Sequence, residues 1–135
     1  MSSVSIQSVS RVFETAKGQR TQALLPVDFE VRDNDFVTIL GPSGCGKSTL
    51  LRIVAGLDHA TSGRVLLDGV PVEGPGADRG MVFQSYTLFP WLTIEQNIRF
   101  GLRERGMPEA QQKERAAYFI AKVGLRGFEQ HFPKQ

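Results

Sequence analysis

Val4 and Ile6 flank the polar Ser5, and Val27, Phe29 and Val31 alternate with Asp28, Glu30 and Arg32. A period of two puts each set on one face, so the first 32 residues are predicted to be β structure. Asp33-Asn34-Asp35 then reads as a turn, and Phe36–Leu40 as a continuous apolar strand covered on both faces. The period changes after residue 46. Leu50, Leu51, Val54 and Ala55 recur at helical spacing over 47–55, with Gly56 as the stop. Arg64–Leu67 is a further strand closed by the hairpin signal Asp68-Gly69. The stretch GVPVEGPGADRG is loop, and Gly80–Phe83 is a second short buried strand. Thr93 and Gln96 make a capping box that starts a helix through Phe100. Pro108 opens a longer helix with Ala116, Phe119, Ile120 and Val123 on one face and Gly124 past its end. Glu109 and Lys113 are spaced to pair on its wet side.

Composition narrows the classes. A length of 135 residues holds one core, and 41% hydrophobic with 22% charged residues is ordinary for a globular chain. Sixteen basic against fourteen acidic residues give a net charge of +2, too little for a nucleic-acid footprint. The single cysteine, Cys45, excludes an intramolecular disulfide and fits a reducing compartment. With two histidines, His59 and His131, it offers no zinc spacing. The N-terminus has no signal-peptide pattern and no apolar run reaches 18 residues, so a cytosolic domain is expected. There is no internal repeat and no low-complexity segment.

Between the apolar run and the helix lies GPSGCGKST, residues 41–49. It matches G-x-x-x-x-G-K-[ST] at every fixed position, in the strand–loop–helix setting that a phosphate-binding loop requires. Gly41, Gly44 and Gly46 let the backbone curl so that N–H groups converge on phosphate oxygens. The helix that follows adds its unpaired amides and dipole. Lys47 supplies a point charge for the β- and γ-phosphates, and the Ser48 hydroxyl can ligate Mg²⁺. Cys45 occupies a free position of the loop with no basic partner in sequence, and reads as filler.

GPSGCGKSTLLRIVAGL, TSGRVLLDG, MVFQ and LFPWLTIEQNI, in that order, resemble the nucleotide-binding subunit of an ABC transporter. The resemblance runs from about Val4 to Gln135, and PGADRGMVFQSYTLFPWLT is most similar to ATPases that energise import of nitrate, sulfonates and taurine. It implies an α/β fold: a P-loop NTPase (RecA-like) core with an antiparallel β subdomain and the start of a helical subdomain, incomplete within these residues. Residues 1–40 and 62–83 would be mainly β, 41–56 the phosphate loop and its helix, 84–91 the glutamine loop and coupling region, and 93–135 the start of the helical subdomain.

The resemblance further implies that Phe13 stacks on adenine, and that Gly41, Pro42, Ser43, Gly44, Cys45, Gly46, Lys47, Ser48 and Thr49 hold ATP. Lys47 and Gln84 would serve catalysis, and Ser48 and Gln84 would hold Mg²⁺. Tyr86, Leu88, Phe89, Pro90 and Trp91 fall where the family builds a groove for a membrane subunit, with Trp91 the expected anchor. The implied partners are a permease, a second ATP-binding subunit in a homodimer and, indirectly, a periplasmic or extracellular solute-binding protein. No nucleic acid is expected, and the location would be peripheral on the inner face of the cell membrane.

Asn34-Asp35 stands where the family usually has Gly-Glu, and asparagine tolerates a left-handed turn. The signature loop, the acidic strand with its catalytic glutamate and the switch histidine are not found. Val65–Leu67 followed by Asp68 imitates that strand, but Asp68-Gly69 is a hairpin turn with no second acid behind it. Nucleotide binding without turnover is therefore expected of these 135 residues. The alternatives are a truncated module that binds nucleotide or partner without hydrolysis, and a soluble phosphate-loop kinase.

Overall fold

The computed structural model describes residues 3–85 and 87–134. The chain divides into two compact units, Met1–Val82 and Phe83–Gln135. In the first, β1 (Val4–Glu14), β2 (Arg20–Val31), β3 (Ser62–Leu67) and β4 (Val70–Pro71) form an antiparallel sheet in the order β2-β1-β3-β4. The helix α1 (Lys47–Val54) packs on it, and Ile6, Val9, Leu24 and Val65 from the sheet meet Leu50 and Ile53 from α1 in one core. Asp68 and Gly69 join β3 to β4 with φ of 52° and 80°, the pair of positive values that a tight hairpin of the favoured twist needs.

The strand β1 is irregular. Its register against β2 slips between Ile6 and Val9, between Val9 and Arg11, and between Arg11 and Val12. At the first slip Ser8 takes φ 48°. The Asp28 carboxylate accepts its N–H at 2.7 Å and its hydroxyl at 3.1 Å, which replaces the lost ladder bonds. Bulges of this kind re-aim side chains. Val9 enters the core, Arg11 reaches Asp58 beyond the end of α1, and Phe13 lies beneath Arg11.

Two strand expectations fail. Neither Phe36–Leu40 nor Gly80–Phe83 is a strand; Phe36 is 95% and Val82 98% exposed. An apolar run becomes a strand only when neighbours complete its ladder, and among the described residues the sheet consists of β1 to β4 alone. Within α1 the buried pair is Leu50 and Ile53, while Leu51 is exposed. The turn at residues 33–35 holds Asn34 at φ 63°, a left-handed value suited to asparagine.

The second unit pairs α2 (Ile94–Glu104) with α3 (Glu109–Lys122). Thr93 Oγ1 accepts the Gln96 N–H at 3.2 Å and Gln96 Oε1 accepts the Thr93 N–H at 2.9 Å, a complete capping box. The next amides of α2, Ile94 and Glu95, donate to the carbonyls of His131 and Glu129. One turn in, Asn97 ties down the preceding loop. Its Oδ1 accepts from the Phe89 N–H at 2.8 Å, and its Nδ2 donates to the carbonyls of Phe89, Leu92 and Thr93 at 3.0–3.1 Å.

Arg99 spans the two helices by pairing with Glu95 and Glu109, and Glu109 also meets Lys113 at 3.1 Å. Lys113 first, then Arg99, hold the Glu109 carboxyl below its ordinary 4.5. That support is present above pH 4.5 and is lost as pH falls through the lowered folded value. On α3, Gln112, Ala116 and Ile120 are buried. Phe119 and Val123, predicted on the same face as Ala116 and Ile120, are exposed and line an apolar groove of about 650 Å³ with Leu88, Ile98 and Phe128.

Thr93→Ala is expected to cost about 1 kcal/mol as a lost cap. Asn97→Ala should cost more, about 1–3 kcal/mol, because it leaves part-buried loop groups unpaired. Urea unfolding monitored at Trp91 would rank the two; equal midpoints for both variants would show that Asn97 does not organise the loop.

Candidate functional site

The loop from Gly41 to Gly46 arrives at α1 without a conventional cap. Gly46 is the N-cap residue with φ 96°, no side chain caps the helix, and its first turn carries no acidic residue. The first helical bond runs from the Leu50 N–H to the Gly46 carbonyl at 2.9 Å. The amides before Leu50 therefore have no carbonyl of the helix to bond, and the helix dipole adds positive potential there. Such an end attracts an anion.

Glycine is required at Gly46 for two reasons. Its φ is left-handed, and an added Cβ would stand 2.5 Å from the Ala23 carbonyl oxygen and 3.0 Å from Leu24 Cδ1 on β2. Gly44 has φ 81° in open space, so there the backbone conformation alone selects glycine. At Gly41 a Cβ would meet Cys45 Sγ at 2.7 Å.

Lys47 folds back over the loop. Its ammonium donates to the carbonyls of Gly41 and Pro42, each at 2.7 Å, and approaches Cys45 Sγ at 3.6 Å. Pro42, Ser43 and Cys45 are exposed on the loop, and the Cys45 N–H donates to the Pro42 carbonyl at 3.4 Å. Ala23, Gly44, Gly46, Lys47, Ser48 and Thr49 line a cavity of about 160 Å³ at the start of α1. All nine residues from 41 to 49 named from the sequence thus belong to one loop and helix start.

Phe13 lies on β1, 42% exposed as a residue, with the Arg11 guanidinium 4.6 Å from its ring centroid. Gln84 is in the second unit, exposed on a bend directly after Phe83. In that unit Phe89 is half-buried, its ring 4.6 Å from that of Phe100 and 5.6 Å from that of Trp91. Leu88, Pro90 and Trp91 are exposed, and Tyr86 lies outside the described residues. Sequence reasoning passed over Arg11 and Asp58. The available signal was the Arg-x-Phe spacing, which puts both side chains on one face of a strand.

Among the described residues no group of three or more His, Cys, Asp or Glu side chains could hold a metal ion, and no helix is long and apolar enough to cross a membrane. Residues 24–135 match the family model described as ABC transporter. Over 130 residues the chain is 53% identical to an uncharacterised ABC transporter ATP-binding protein of Methanocaldococcus jannaschii, covering 96% of this chain and 48% of that protein. It is 45% identical over 130 residues to the nitrate import ATP-binding protein of Synechocystis, covering 96% and 48%. It is 49% identical over 131 residues to a taurine import ATP-binding protein of Burkholderia pseudomallei, covering 97% and 50%. The chain spans about half the length of these curated relatives. A solved ATP-binding cassette, a dimer in a post-hydrolysis state with ADP and Pi bound, superimposes with a TM-score of 0.84 at 30% identity, covering 98% of this chain and 62% of that one. The fold is that of a P-loop ATPase cassette in part, and the chain belongs to the ABC transporter family.

Proposed function

We propose that these residues form the ATP-binding part of the ATPase subunit of an ABC importer for a small anionic solute such as nitrate, a sulfonate or taurine. The observation that carries the reading is the uncapped start of α1, with Lys47 folded over a glycine-built loop. The named relatives that import nitrate and taurine support the solute class.

In this reading the phosphates of ATP accept hydrogen bonds from the backbone amides of residues 43–49, the Cys45 N–H giving up the Pro42 carbonyl, and Lys47 exchanges the carbonyls of Gly41 and Pro42 for β- and γ-phosphate oxygens. An ammonium fixed beside the γ-phosphate stabilises the charge that develops there when water attacks in line. Phe13 supplies a face for adenine. The residue set suits Mg²⁺, which keeps several waters and leans on substrate phosphates rather than on an all-protein cage: Ser48 offers an exposed hydroxyl at the cavity and Gln84 an exposed amide. When bound, the ion would neutralise phosphate charge, with the Ser48 hydroxyl at the cavity as its ligand in the first unit.

No carboxylate is among the residues lining the cavity at the loop. We accordingly propose that this segment binds without hydrolysing and that the whole protein, working as a pair, supplies the base and the remaining contacts. Residues 84–91 would couple nucleotide state to the permease on the inner face of the membrane. Leu88 and Trp91 present apolar surface there, while Asn97 holds the backbone at Phe89 and Leu92 beneath them. A solute-binding protein would act at one remove, through the permease.

In the full-length protein Lys47→Ala should lower ATP turnover by about 10²-fold or more and abolish measurable Mg-ATP binding at the loop; undiminished binding by calorimetry would reject the site. Gly46→Ala should cost about 1–3 kcal/mol of stability through its left-handed φ, with a further loss from collision with the Ala23 carbonyl, and should weaken ATP in parallel. Trp91→Ala should leave Mg-ATP affinity unchanged and weaken co-purification with the permease; a variant that co-purifies like the parent would remove Trp91 from the interface.

A further inference from the structure

An ion pair beyond the end of α1 opposite to the phosphate loop has no part in the phosphate chemistry proposed above. Arg11 Nη2 meets Asp58 Oδ1 at 2.8 Å, with both side chains largely buried. Asp58 is fixed to the end of α1: Gly56 and Leu57 donate to the carbonyls of Ile53 and Arg52, and Asp58 Oδ1 accepts the His59 N–H at 2.8 Å. Its partner Arg11 stands opposite Leu24 in the register of β1 against β2. Leu24 is also the residue on which Gly46 closes. Two positions further along β1, on the same face, is Phe13. The contact of the phosphate loop with the sheet, the ion pair and the exposed ring therefore follow one another along a single short path.

We propose that Arg11 is a positioning residue for the nucleobase. Held by Asp58, its guanidinium occupies one face of the Phe13 ring, at 4.6 Å from the centroid, and leaves the other face for adenine. This rests on the reading that Phe13 stacks on the base. An exposed phenylalanine on a strand otherwise samples several χ1 wells, and a ring restrained in advance loses less freedom when a ligand settles on it. A cation on one face also draws π density toward itself, which reduces repulsion between the ring and a stacked purine. Arginine suits the place better than lysine, because its planar head can lie on the ring while its edge meets the carboxylate. Arg11 Nε is buried with no hydrogen-bond partner among the described residues, so the head is held by its outer nitrogen and the ring rather than by a network. A purely structural ion pair between sheet and helix predicts something different, since it would affect the phosphate site as much as the base.

The test compares Mg-ATP with Mg-tripolyphosphate, which has the charge and no base, on the full-length protein. Arg11→Met is expected to weaken ATP about threefold to tenfold, the range a partly desolvated cation–π contact supports, and to leave tripolyphosphate affinity unchanged. Arg11→Lys should restore part of the loss. Phe13→Ala should weaken ATP alone, and adding Arg11→Met to it should produce no further loss. Equal losses for both ligands in Arg11→Met, or a full Arg11→Met effect in the absence of the Phe13 ring, would overturn the proposal. If Phe13→Ala weakens ATP while Arg11→Met does not, the proposal fails and base stacking stands; if Phe13→Ala binds ATP like the parent, both fail. Should Arg11→Met not fold, Arg11→Lys carries the same comparison, with a smaller ATP-only loss expected and unchanged ATP affinity overturning it.

Discussion

The contact between Gly46 and the backbone of β2 governs the geometry of the first unit. A hydrogen in place of a side chain lets the loop lie against the Ala23 carbonyl and Leu24, and the left-handed φ at that residue turns the chain into α1. Leu50 and Ile53 fall onto Val9, Leu24 and Val65, and the amides before Leu50 have no carbonyl of the helix to bond. Gly46 thus takes part both in seating α1 on the sheet and in leaving its first turn uncapped. The apolar stripe of α1 holds the helix down, and the missing cap leaves its positive end available.

Local chemistry was legible in the sequence wherever near neighbours decide it. The capping box at Thr93 and Gln96, the Asp68-Gly69 hairpin and the left-handed tolerance of Asn34 depend on residues a few positions apart, and each is found. The conformation of the loop at residues 41–49 was legible for the same reason: its left-handed glycines and its one ammonium lie within nine consecutive residues. Phe36–Leu40 and Gly80–Phe83 were misread because a strand is a relation between segments. Their apolar side chains satisfy one half of that relation, and no ladder partner is present among the described residues. The bulges of β1 escaped notice because Ser8 and Asp28 are 20 positions apart. Arg11 and Asp58 escaped for the same reason, since their pairing exists only once α1 has been laid on the sheet.

In the second unit polar groups rather than a deep core do much of the ordering. Asn97 satisfies one amide and three carbonyls around Phe89–Thr93, and Arg99 binds the two helices through carboxylates on each. Fixing backbone this way leaves side chains free to face outward, which is why Trp91 can be exposed while the chain around it is pinned. A rigid backbone under an exposed aromatic ring lowers the ordering cost that a partner meets on docking.

The position of Lys47 sets a threshold for what the loop will accept. Its ammonium already has two carbonyl acceptors at 2.7 Å and a sulfur at the edge of reach. An incoming anion must replace those dipoles, so entry is an exchange of ligands around a nitrogen, and only the difference between the two sets appears as affinity. Chloride or a carboxylate brings one charge and few acceptors against that arrangement. A polyphosphate brings several charges and enough oxygens to fill the amides and the ammonium together. Under the proposed reading the loop would discriminate by charge density before any base is read, with the Lys47 ammonium held by its two carbonyls until such an anion replaces them.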